Sequence, residues 1–334
     1  MKDVVLGIES SCDETSASIC LDGKVINNII ATQSIHEQYG GVVPELASRA
    51  HQQHIVPVVH KACQDAEIDL SDVTAIACTQ GPGLLGSLLV GYSFSKSLSY
   101  ALDVPMINVH HMKAHILAHF IDDPKPTFPF LCLTVSGGHT QIVKVKSHIE
   151  MEVLGETIDD AVGEAFDKGA KLLGLPYPGG PFVDKLAAKG DATKYNFTKS
   201  KVTNLDFSFS GVKTSLLYFL RDRLATDVTF IEHHRNDLCA SYQHVLIEML
   251  TEKLLKASNK ENIKRIAIAG GVSANMGLRE RLLDLAKNYN WELFIPDFQY
   301  CTDNAGMIAI SGYYQLIHNL HADLKDAPNP RMPF

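Results

Sequence analysis

The stretch Val4-Val5-Leu6-Gly7-Ile8 decides the fold, because its continuous apolar character predicts a buried β-strand. It is followed by the polar turn Glu9-Ser10-Ser11-Cys12-Asp13-Glu14 and by a second strand-like run, Thr15-Ser16-Ala17-Ser18-Ile19-Cys20-Leu21. Two strands joined by a short polar turn predict a β-hairpin. Small and hydroxyl residues in such a turn allow backbone N–H groups to approach a phosphate closely.

The same design occurs again in the middle of the chain. Phe130-Leu131-Cys132-Leu133-Thr134-Val135 leads through Ser136-Gly137-Gly138-His139 into Thr140-Gln141-Ile142-Val143-Lys144-Val145. A third apolar run, Arg265-Ile266-Ala267-Ile268-Ala269-Gly270-Gly271-Val272, leads instead into a helix from about Asn275. Either hairpin alone is explained as an unrelated hairpin. Their pairing, with the third strand, favours a duplicated architecture that grips phosphates between two lobes.

Amphipathic patterns between these hairpins predict helices. The helical spans are Pro44 to His60, Leu84 to Leu102 and Asn236 to Ala257. Strands near residues 75–79 and 106–109 produce β–α–β alternation, so the class is mixed α/β. The stretch Pro124-Lys125-Pro126-Thr127 is the expected lobe boundary. The polar, Lys-rich residues from Asp191 to Lys213 predict a surface loop.

Composition restricts the class of protein. The 334 residues indicate two lobes rather than one core. There is no run of about 18 apolar residues, which predicts no membrane span, and the first residues do not resemble a signal peptide. The seven cysteines are scattered and never form Cys-x-x-Cys, which indicates reduced thiols in a cytoplasmic protein. Lys and Arg total 30 against 38 Asp and Glu, so the net charge is −8, whereas a protein that binds nucleic acid alone is usually basic.

The sequence His110-His111-Met112-Lys113-Ala114-His115 contains a metal-ligand pattern. The i, i+4 spacing puts His111 and His115 on one helical face about 6 Å apart, where they can share a transition metal. The alternative is a row of surface histidines continued by His119. Asp303 is the candidate third ligand, and a helix N-cap is its alternative role.

A zinc peptidase is the familiar interpretation of His-x-x-x-His. That chemistry requires Glu directly after the first His as the general base. Met112 occupies the position and cannot accept a proton, so the peptidase interpretation is weak.

Other candidate residues follow the middle hairpin. Ser136 and the adjacent glycine amides would contact an oxyanion or phosphate. Residues 159–170 predict a helix whose Asp167 would bind ribose hydroxyls, or would lie on a solvated face. Asn275 would contact adenine or ribose, or would cap the following helix. The glycines of Leu175-Pro176-Tyr177-Pro178-Gly179-Gly180-Pro181 permit close approach of a ligand.

Together these motifs resemble the tRNA threonylcarbamoyladenosine transferase family of the TsaD type, formerly labelled O-sialoglycoprotein endopeptidase. The matching stretches span almost the whole chain in order, and they are Gly7-Ile8-Glu9-Ser10-Ser11-Cys12-Asp13-Glu14-Thr15, Gly40-Gly41-Val42-Val43-Pro44-Glu45, Gly81-Pro82-Gly83-Leu84, His111 to His115, Ser136-Gly137-Gly138-His139-Thr140, Phe207-Ser208-Phe209-Ser210-Gly211-Val212-Lys213-Thr214, Gly270-Gly271-Val272-Ser273-Ala274-Asn275 and Cys301-Thr302-Asp303-Asn304. No single short motif would reproduce this order by chance.

The resemblance implies a two-lobed, actin-like fold of the sugar-kinase and Hsp70 type, with duplicated mixed β-sheets and a nucleotide cleft. We expect residues 1–126 to form the N-terminal lobe, completed by a C-terminal helix over 305–334. Residues 127–304 would then form the C-terminal lobe.

The resemblance also implies an activity, which is transfer of a threonylcarbamoyl group from threonylcarbamoyl-adenylate to N6 of adenosine 37 in tRNAs that read ANN codons, giving t6A and AMP. It makes His111, His115 and Asp303 the ligands of one divalent metal, with iron favoured and zinc as the alternative. The implied adenylate-binding residues are Thr134, Val135, Ser136, Gly137, Gly138, Asp167, Gly180, Asp184 and Asn275. Glu9 and Asp13 are the candidates for a general base, and both are also explained as structural acids.

Partners of the family would reconcile the acidic charge with a tRNA substrate. They are a paralogous subunit of the TsaB type, which dimerises with the transferase, and a small ATPase of the TsaE type. The lysines expected to contribute to tRNA binding are Lys194, Lys199, Lys201 and Lys213. Two other functions are considered: an ATP-dependent small-molecule kinase of the same superfamily, and a non-enzymatic nucleotide-binding subunit.

Overall fold

The computed structural model describes residues 2–200, 202–323 and 325–334. The strands are β1 Val4–Glu9, β2 Glu14–Leu21, β3 Lys24–Val25, β4 Ile29–Thr32, β5 Ala75–Gly81, β6 Met106–His110, β7 Phe130–Val135, β8 Thr140–Val145, β9 Met151–Glu156, β10 Arg265–Ala269 and β11 Glu292–Phe294. The α-helices are α1 Pro44–Asp65, α2 Leu85–Leu102, α3 His111–Leu117, α4 Val162–Leu172, α5 Gly179–Ala187, α6 Ser210–Leu224, α7 Phe230–Glu261, α8 Met276–Tyr289 and α9 Ala305–Ile317.

The first of two compact units comprises Met1–Pro126, His148–Glu150 and Pro296–Phe334. Its sheet has the order β3-β2-β1-β5-β6, and β4 pairs with β2. Strand β1 is antiparallel to β2 and parallel to β5. Every residue of β1 is buried. On one face of the sheet, Leu6 and Ile8 belong to a hydrophobic core to which α1 contributes, and on the other face α9 packs against Gly7.

The absence of a side chain at Gly7 allows α9 to lie directly on β1. A Cβ atom on Gly7 would lie 2.6 Å from the backbone nitrogen of Ala309 and 2.7 Å from the carbonyl oxygen of Ala305. This close approach brings the start of α9, and with it Asp303 two residues earlier, to the sheet that carries Glu9.

The second unit comprises Thr127–Ser147 and Met151–Ile295. Its sheet has the order β11-β10-β7-β8-β9, in which β10 is parallel to both β7 and β11. The long helix α7 contributes much of the core, including fully buried Tyr242. The Tyr242 hydroxyl donates a hydrogen bond of 2.8 Å to the carbonyl of Ala165, which joins α7 to α4.

The predicted hairpins are confirmed, and the three predicted helices lie within or nearly coincide with α1, α2 and α7. The helix predicted over residues 159–170 begins later, at Val162, because Asp159 instead accepts hydrogen bonds from the backbone and hydroxyl groups of residues 208–210. The C-terminal helix expected to run to residue 334 ends at Ile317.

The stretch from Asp191 to Lys213 is not simply a surface loop. Phe197, Leu205 and Phe207 are buried in the core of the second unit, and α6 already begins at Ser210. Isolated aromatic residues in a polar stretch have no periodicity, so the sequence pattern missed their burial. Lys201 lies outside the described residues.

Internal contacts group Pro296–Phe334 with the first unit, whereas the sequence predicts a second lobe that continues to residue 304. Asp303 therefore belongs to the same unit as His111 and His115. None of the described helices combines the length and apolar character needed to cross a membrane. The cysteines of the described chain are free thiols.

We expect Gly7→Ala to destabilise the protein by about 1–3 kcal/mol, because the added methyl group must displace α9 from β1. Urea denaturation followed by circular dichroism measures the effect. Gly41→Ala is the matched control, because a Cβ there meets no described atom within 4 Å, and its effect should stay within about 0.5 kcal/mol. Equal stability of the two variants would contradict the proposed packing constraint.

Candidate functional site

Strand β6 and helix α3 position the two histidines of the predicted metal site. β6 ends at His110 and α3 begins at His111, with Nδ1 of His110 accepting hydrogen bonds from the backbone N–H groups of Met112 and Lys113 at 3.2 and 3.4 Å. His111 and His115 lie one turn apart with ring centroids 4.8 Å from each other. Both are buried, which contradicts a row of surface histidines.

Asp303 completes the group. Its Oδ1 lies 3.2 Å from Nε2 of His111 and 3.2 Å from Nε2 of His115. The N-cap of α9 is Asn304, whose side chain accepts from the backbone of Met307, so capping does not explain Asp303. The three ligand atoms lie within 4.8 Å of one another, and this set of imidazole and carboxylate donors suits a transition metal.

Opposing effects set the charges of this group. Burial would lower the pKa of His111, but the carboxylates of Asp303 and Glu9 raise it well above its usual value. Burial would raise the pKa of Asp303, but His111 and then His115 hold it far below its usual value. Burial lowers the pKa of His115, against an opposing hydrogen bond with Asp303. A cation bound at Nε2 of His111 would therefore compete with a proton for that atom.

Glu9, at the end of β1, orients His111. The Nδ1 atom of His111 lies 3.1 Å from Oε2 of Glu9, and Thr79 donates its hydroxyl to the same oxygen at 2.6 Å. The backbone N–H of Ser11 donates to the other carboxylate oxygen. A proton held at Nδ1 leaves the Nε2 lone pair of His111 for a metal.

This arrangement favours an orienting role for Glu9 over proton exchange with a substrate. Glu9 is fully buried and its oxygens are occupied, whereas Asp13 is partly exposed in the following turn. The sequence did not identify Thr79, although its place near the end of a strand parallel to β1 was a usable signal.

His115 differs from His111 in its second ring nitrogen. The Nδ1 atom of His115 is buried without a hydrogen-bond partner among the described residues.

Glu14 is a further acid of this unit, and no sequence pattern distinguishes it from its neighbours. Burial, and then the carboxylates of Asp303 and Asp13, raise the pKa of Glu14 to about 10. It is therefore protonated at neutral pH in the metal-free protein. Its sequence position resembles that of Asp13, and both residues are partly buried.

The second unit contains the predicted phosphate-binding turn. The backbone N–H of Ser136 donates to the carbonyl of His139 at 2.9 Å, and the backbone N–H of His139 donates to the Ser136 hydroxyl at 3.0 Å. Gly137 and Gly138 are exposed, and a Cβ on either would meet no described atom within 4 Å. Hydrogen bonds between Ser136 and His139 thus close the turn, while its two glycines remain accessible to a ligand.

A second glycine turn lies beside it. Gly270 has φ +88°, and a Cβ there would lie 2.5 Å from the carbonyl oxygen of Val135. Strands β7 and β10 are parallel neighbours, so both turns lie at their carboxyl ends, where α/β sheets commonly bind ligands. Helix α4 also begins here, since the N–H of Gly163 donates to the carbonyl of Ser136 at 3.1 Å.

Three other residues predicted to bind the adenylate form hydrogen bonds with backbone N–H groups at the beginnings of helices. Oδ1 of Asp167 accepts from the N–H groups of Gly179 and Gly180, at the beginning of α5. Asp184 accepts from the first N–H groups of α8, at residues 276 and 277, while Asn275 caps the same helix through Leu278. Asp184 and Asn275 are thus brought together, joined through Gln243. The hydroxyl of buried Thr134 donates to the carbonyl of Gln141.

The chain is similar along its length to known protein sequences. A model of the TsaD family, tRNA N6-adenosine threonylcarbamoyltransferase, matches residues 24–310. The transferase of that name from Christiangramia forsetii is 57% identical over 333 residues, which cover 99% of this chain and 98% of the relative. The one from Porphyromonas gingivalis is 54% identical over 334 residues, 98% of each protein.

Solved structures support the fold class. HypF from T. kodakarensis is 12% identical with a TM-score of 0.62, covering 95% of this chain and 48% of that protein. Component A of the Acidaminococcus fermentans (R)-2-hydroxyglutaryl-CoA dehydratase is 14% identical with a TM-score of 0.53, covering 94% and 99%. At such identities the likeness concerns the fold alone, and it confirms the predicted actin-like α/β class.

We expect Glu9→Gln to weaken the affinity for a divalent transition metal by about 10–100-fold, because an amide no longer holds the Nδ1 proton of His111 as strongly. Titration of the metal-free protein with Zn²⁺ against a competing chelator measures the loss. Glu67→Gln makes the same chemical change at an exposed residue of this unit and should bind normally. Normal affinity in Glu9→Gln would exclude the orienting role.

Proposed function

Since the chain belongs to the TsaD family of tRNA N6-adenosine threonylcarbamoyltransferases, we propose that it transfers the threonylcarbamoyl group of threonylcarbamoyl-adenylate to N6 of adenosine 37. The tRNAs would be those that read ANN codons, and AMP would be released. The observation that carries the proposal is the group of two buried imidazoles and one partly buried carboxylate, in a chain that aligns with these relatives along almost its whole length.

His111, His115 and Asp303 would hold one divalent metal, with Fe²⁺ favoured and Zn²⁺ as the alternative, since two imidazoles and a carboxylate suit both. When bound, this metal supplies a Lewis acid for the carbamoyl carbonyl. Glu9 keeps His111 in the tautomer that leaves Nε2 for the metal. The burial of both imidazoles limits access of water to the group.

The adenylate would bind to the second unit. The exposed amides of Gly137 and Gly138 would receive its phosphate, as glycine turns at strand ends do in other proteins, while the N–H of Ser136 is already given to the carbonyl of His139. Val135 and Thr134 fix the start of this turn from within β7. Closing of the turn by Ser136 and His139 orders these amides before a ligand arrives, which lowers the entropic cost of binding.

Side chains around this turn would bind the nucleoside. Oδ1 of Asp167 already holds the first amides of α5, so Oδ2 is the atom we assign to a ribose hydroxyl. At Gly180 the nearest described atom to an added Cβ is 3.9 Å away, which leaves room for a ligand. Asp184 and Asn275 would contribute through the helix start that they organise.

The tRNA would require help from other proteins, because the chain is acidic. Lys194 and Lys199 are paired with Asp237 and Glu252 in this structure, so each could reach a phosphate only by leaving its acid. We therefore assign a share of tRNA binding to a paralogous subunit of the TsaB type and to a small ATPase of the TsaE type. With a substrate of this kind, we expect the protein to act in the cytoplasm.

Two alternatives predict different chemistry. A small-molecule kinase would transfer phosphate with Mg²⁺ and would leave His111 and His115 without a purpose. A non-enzymatic nucleotide-binding subunit would leave them equally unused. Metal analysis of the purified protein separates both from the transferase, which should carry stoichiometric iron or zinc.

We expect His111→Ala and Asp303→Ala to reduce threonylcarbamoylation of tRNA by more than about a hundredfold, since loss of an outer partner alone costs about 10–100-fold. The assay is mass spectrometry of tRNA nucleosides after incubation with threonine, bicarbonate, ATP and the partner enzymes. Exposed His233→Ala is the matched control and should keep normal activity. Undiminished t6A in either ligand variant, with normal folding, would exclude the metal-centred mechanism.

We expect Gly137→Val to raise the KM for threonylcarbamoyl-adenylate by about tenfold or more, because the side chain blocks one charge-assisted hydrogen bond to the phosphate. The fold should tolerate the change, since a Cβ on Gly137 would meet no described atom within 4 Å. Gly137→Ala, with its smaller group, should give an intermediate KM. Normal KM values in both variants would remove this turn from the adenylate site.

A further inference from the structure

The last residues of the chain form a segment that neither the metal centre nor the adenylate site explains. We call residues 325–334 the C-terminal strap. The backbone carbonyl of Asp326 accepts from Nζ of Lys96 at 2.6 Å, and its carboxylate accepts from Asn108 at 2.7 Å. Asn108 is fixed in turn by the hydroxyl of Tyr92 at 2.8 Å. The base of the strap is therefore attached to α2 and β6.

The middle of the strap lies on the turn that follows β5. The backbone N–H of Asn329 donates to the carbonyl of Gln80 at 2.8 Å, and the N–H of Gly83 donates to the carbonyl of Pro330 at 3.2 Å. A Cβ on Gly81 would collide with the carbonyl oxygen of Asn329. The missing side chain at Gly81 thus allows the strap to satisfy backbone groups at the end of β5.

The same turn reaches the metal centre through Ser11. The N–H of Leu84 donates to the carbonyl of Ser11 at 2.8 Å, and the Ser11 hydroxyl lies 3.2 Å from Nδ1 of His111. A Cβ on Gly83 would lie 2.6 Å from that carbonyl oxygen, so this contact is also a close backbone approach.

The end of the strap reaches the metal centre from a second direction. The Phe334 ring meets the His110 ring edge-on, with centroids 5.4 Å apart, and Nζ of Lys113 lies 5.0 Å from the centre of the same ring. His110 caps α3, and Lys113 belongs to its first turn. Phe334 therefore contacts the N-cap of α3 and one residue of its first turn, which precede and follow His111 in the sequence.

From these two routes we propose that the C-terminal strap is a positioning element of the metal centre. Phe334 holds the cap and first turn of α3, and residues 329 and 330 hold the 81–84 turn against Ser11. Together they fix the direction in which His111 presents Nε2. This inference rests on the proposed metal centre, and it assigns a purpose to the Gly81-Pro82-Gly83-Leu84 motif that the proposed transfer reaction leaves unused.

Co²⁺ binding to the purified full chain tests the proposal, because the visible spectrum of Co²⁺ reports ligand geometry as well as affinity. We expect Phe334→Ala to weaken Co²⁺ binding about three- to tenfold and to change this spectrum. The loss should be smaller than the roughly 10–100-fold typical of a direct partner of a ligand, because Phe334 acts through His110. Phe334→Leu, which retains apolar bulk, should restore most of the affinity.

Two further variants separate positioning from general stability. Gly81→Ala displaces the strap at Asn329 and should change the spectrum in the same direction, although Phe334 is intact. Tyr100→Ala removes an exposed aromatic side chain of the same unit and should bind Co²⁺ normally. If thermal unfolding shifts in Phe334→Ala and Gly81→Ala while affinity and spectrum stay those of the unchanged chain, the strap proposal is overturned and the metal centre stands. Failure of the folded, unchanged chain to bind Co²⁺ overturns both.

Discussion

One carboxylate shared by two buried imidazoles organises the first unit. Desolvation penalises every charge in this group, and the mutual contacts of Asp303, His111 and Glu9, with the hydrogen bonds from neighbouring residues, offset that penalty. The ends of β1 and β6 and the segment before α9 must therefore converge within hydrogen-bond distance of one another. Gly7 makes the convergence geometrically feasible, because α9 can rest on the backbone of β1 itself.

The second unit solves a different problem, which is how to present backbone amides to an anion. Its exposed glycines at residues 137 and 138 follow a fully buried strand, and hydrogen bonds between Ser136 and His139 close the turn. Acidic side chains nearby hold helix starts, as Asp167 and Asp184 do. The residues proposed to bind the nucleoside therefore also hold the helices around the site, so each has both a structural and a binding role.

Local pattern predicted much of this architecture. Each hairpin follows from two apolar runs joined by a polar turn. The i, i+4 spacing of His111 and His115 brings them together in any α-helix. The sequence predicted less well those segments in which the apolar residues have no helical or strand periodicity. Phe197 and Phe207 are isolated in a polar stretch yet buried, and the C-terminal strap has neither helical nor strand spacing.

The sequence by itself determined the mixed α/β class, the hairpins, the i, i+4 placement of His111 and His115 and, through motifs spread along the chain, the family. Tertiary structure decided which acid does what. Asp303 and Asn304 are equally good helix caps by sequence, and only the fold shows that Asn304 caps α9 while Asp303 faces the imidazoles. Glu9 acquires its role from a histidine 102 residues away. The physical reason is that periodicity records local backbone geometry, whereas the charge and orientation of a side chain depend on neighbours that only folding brings near.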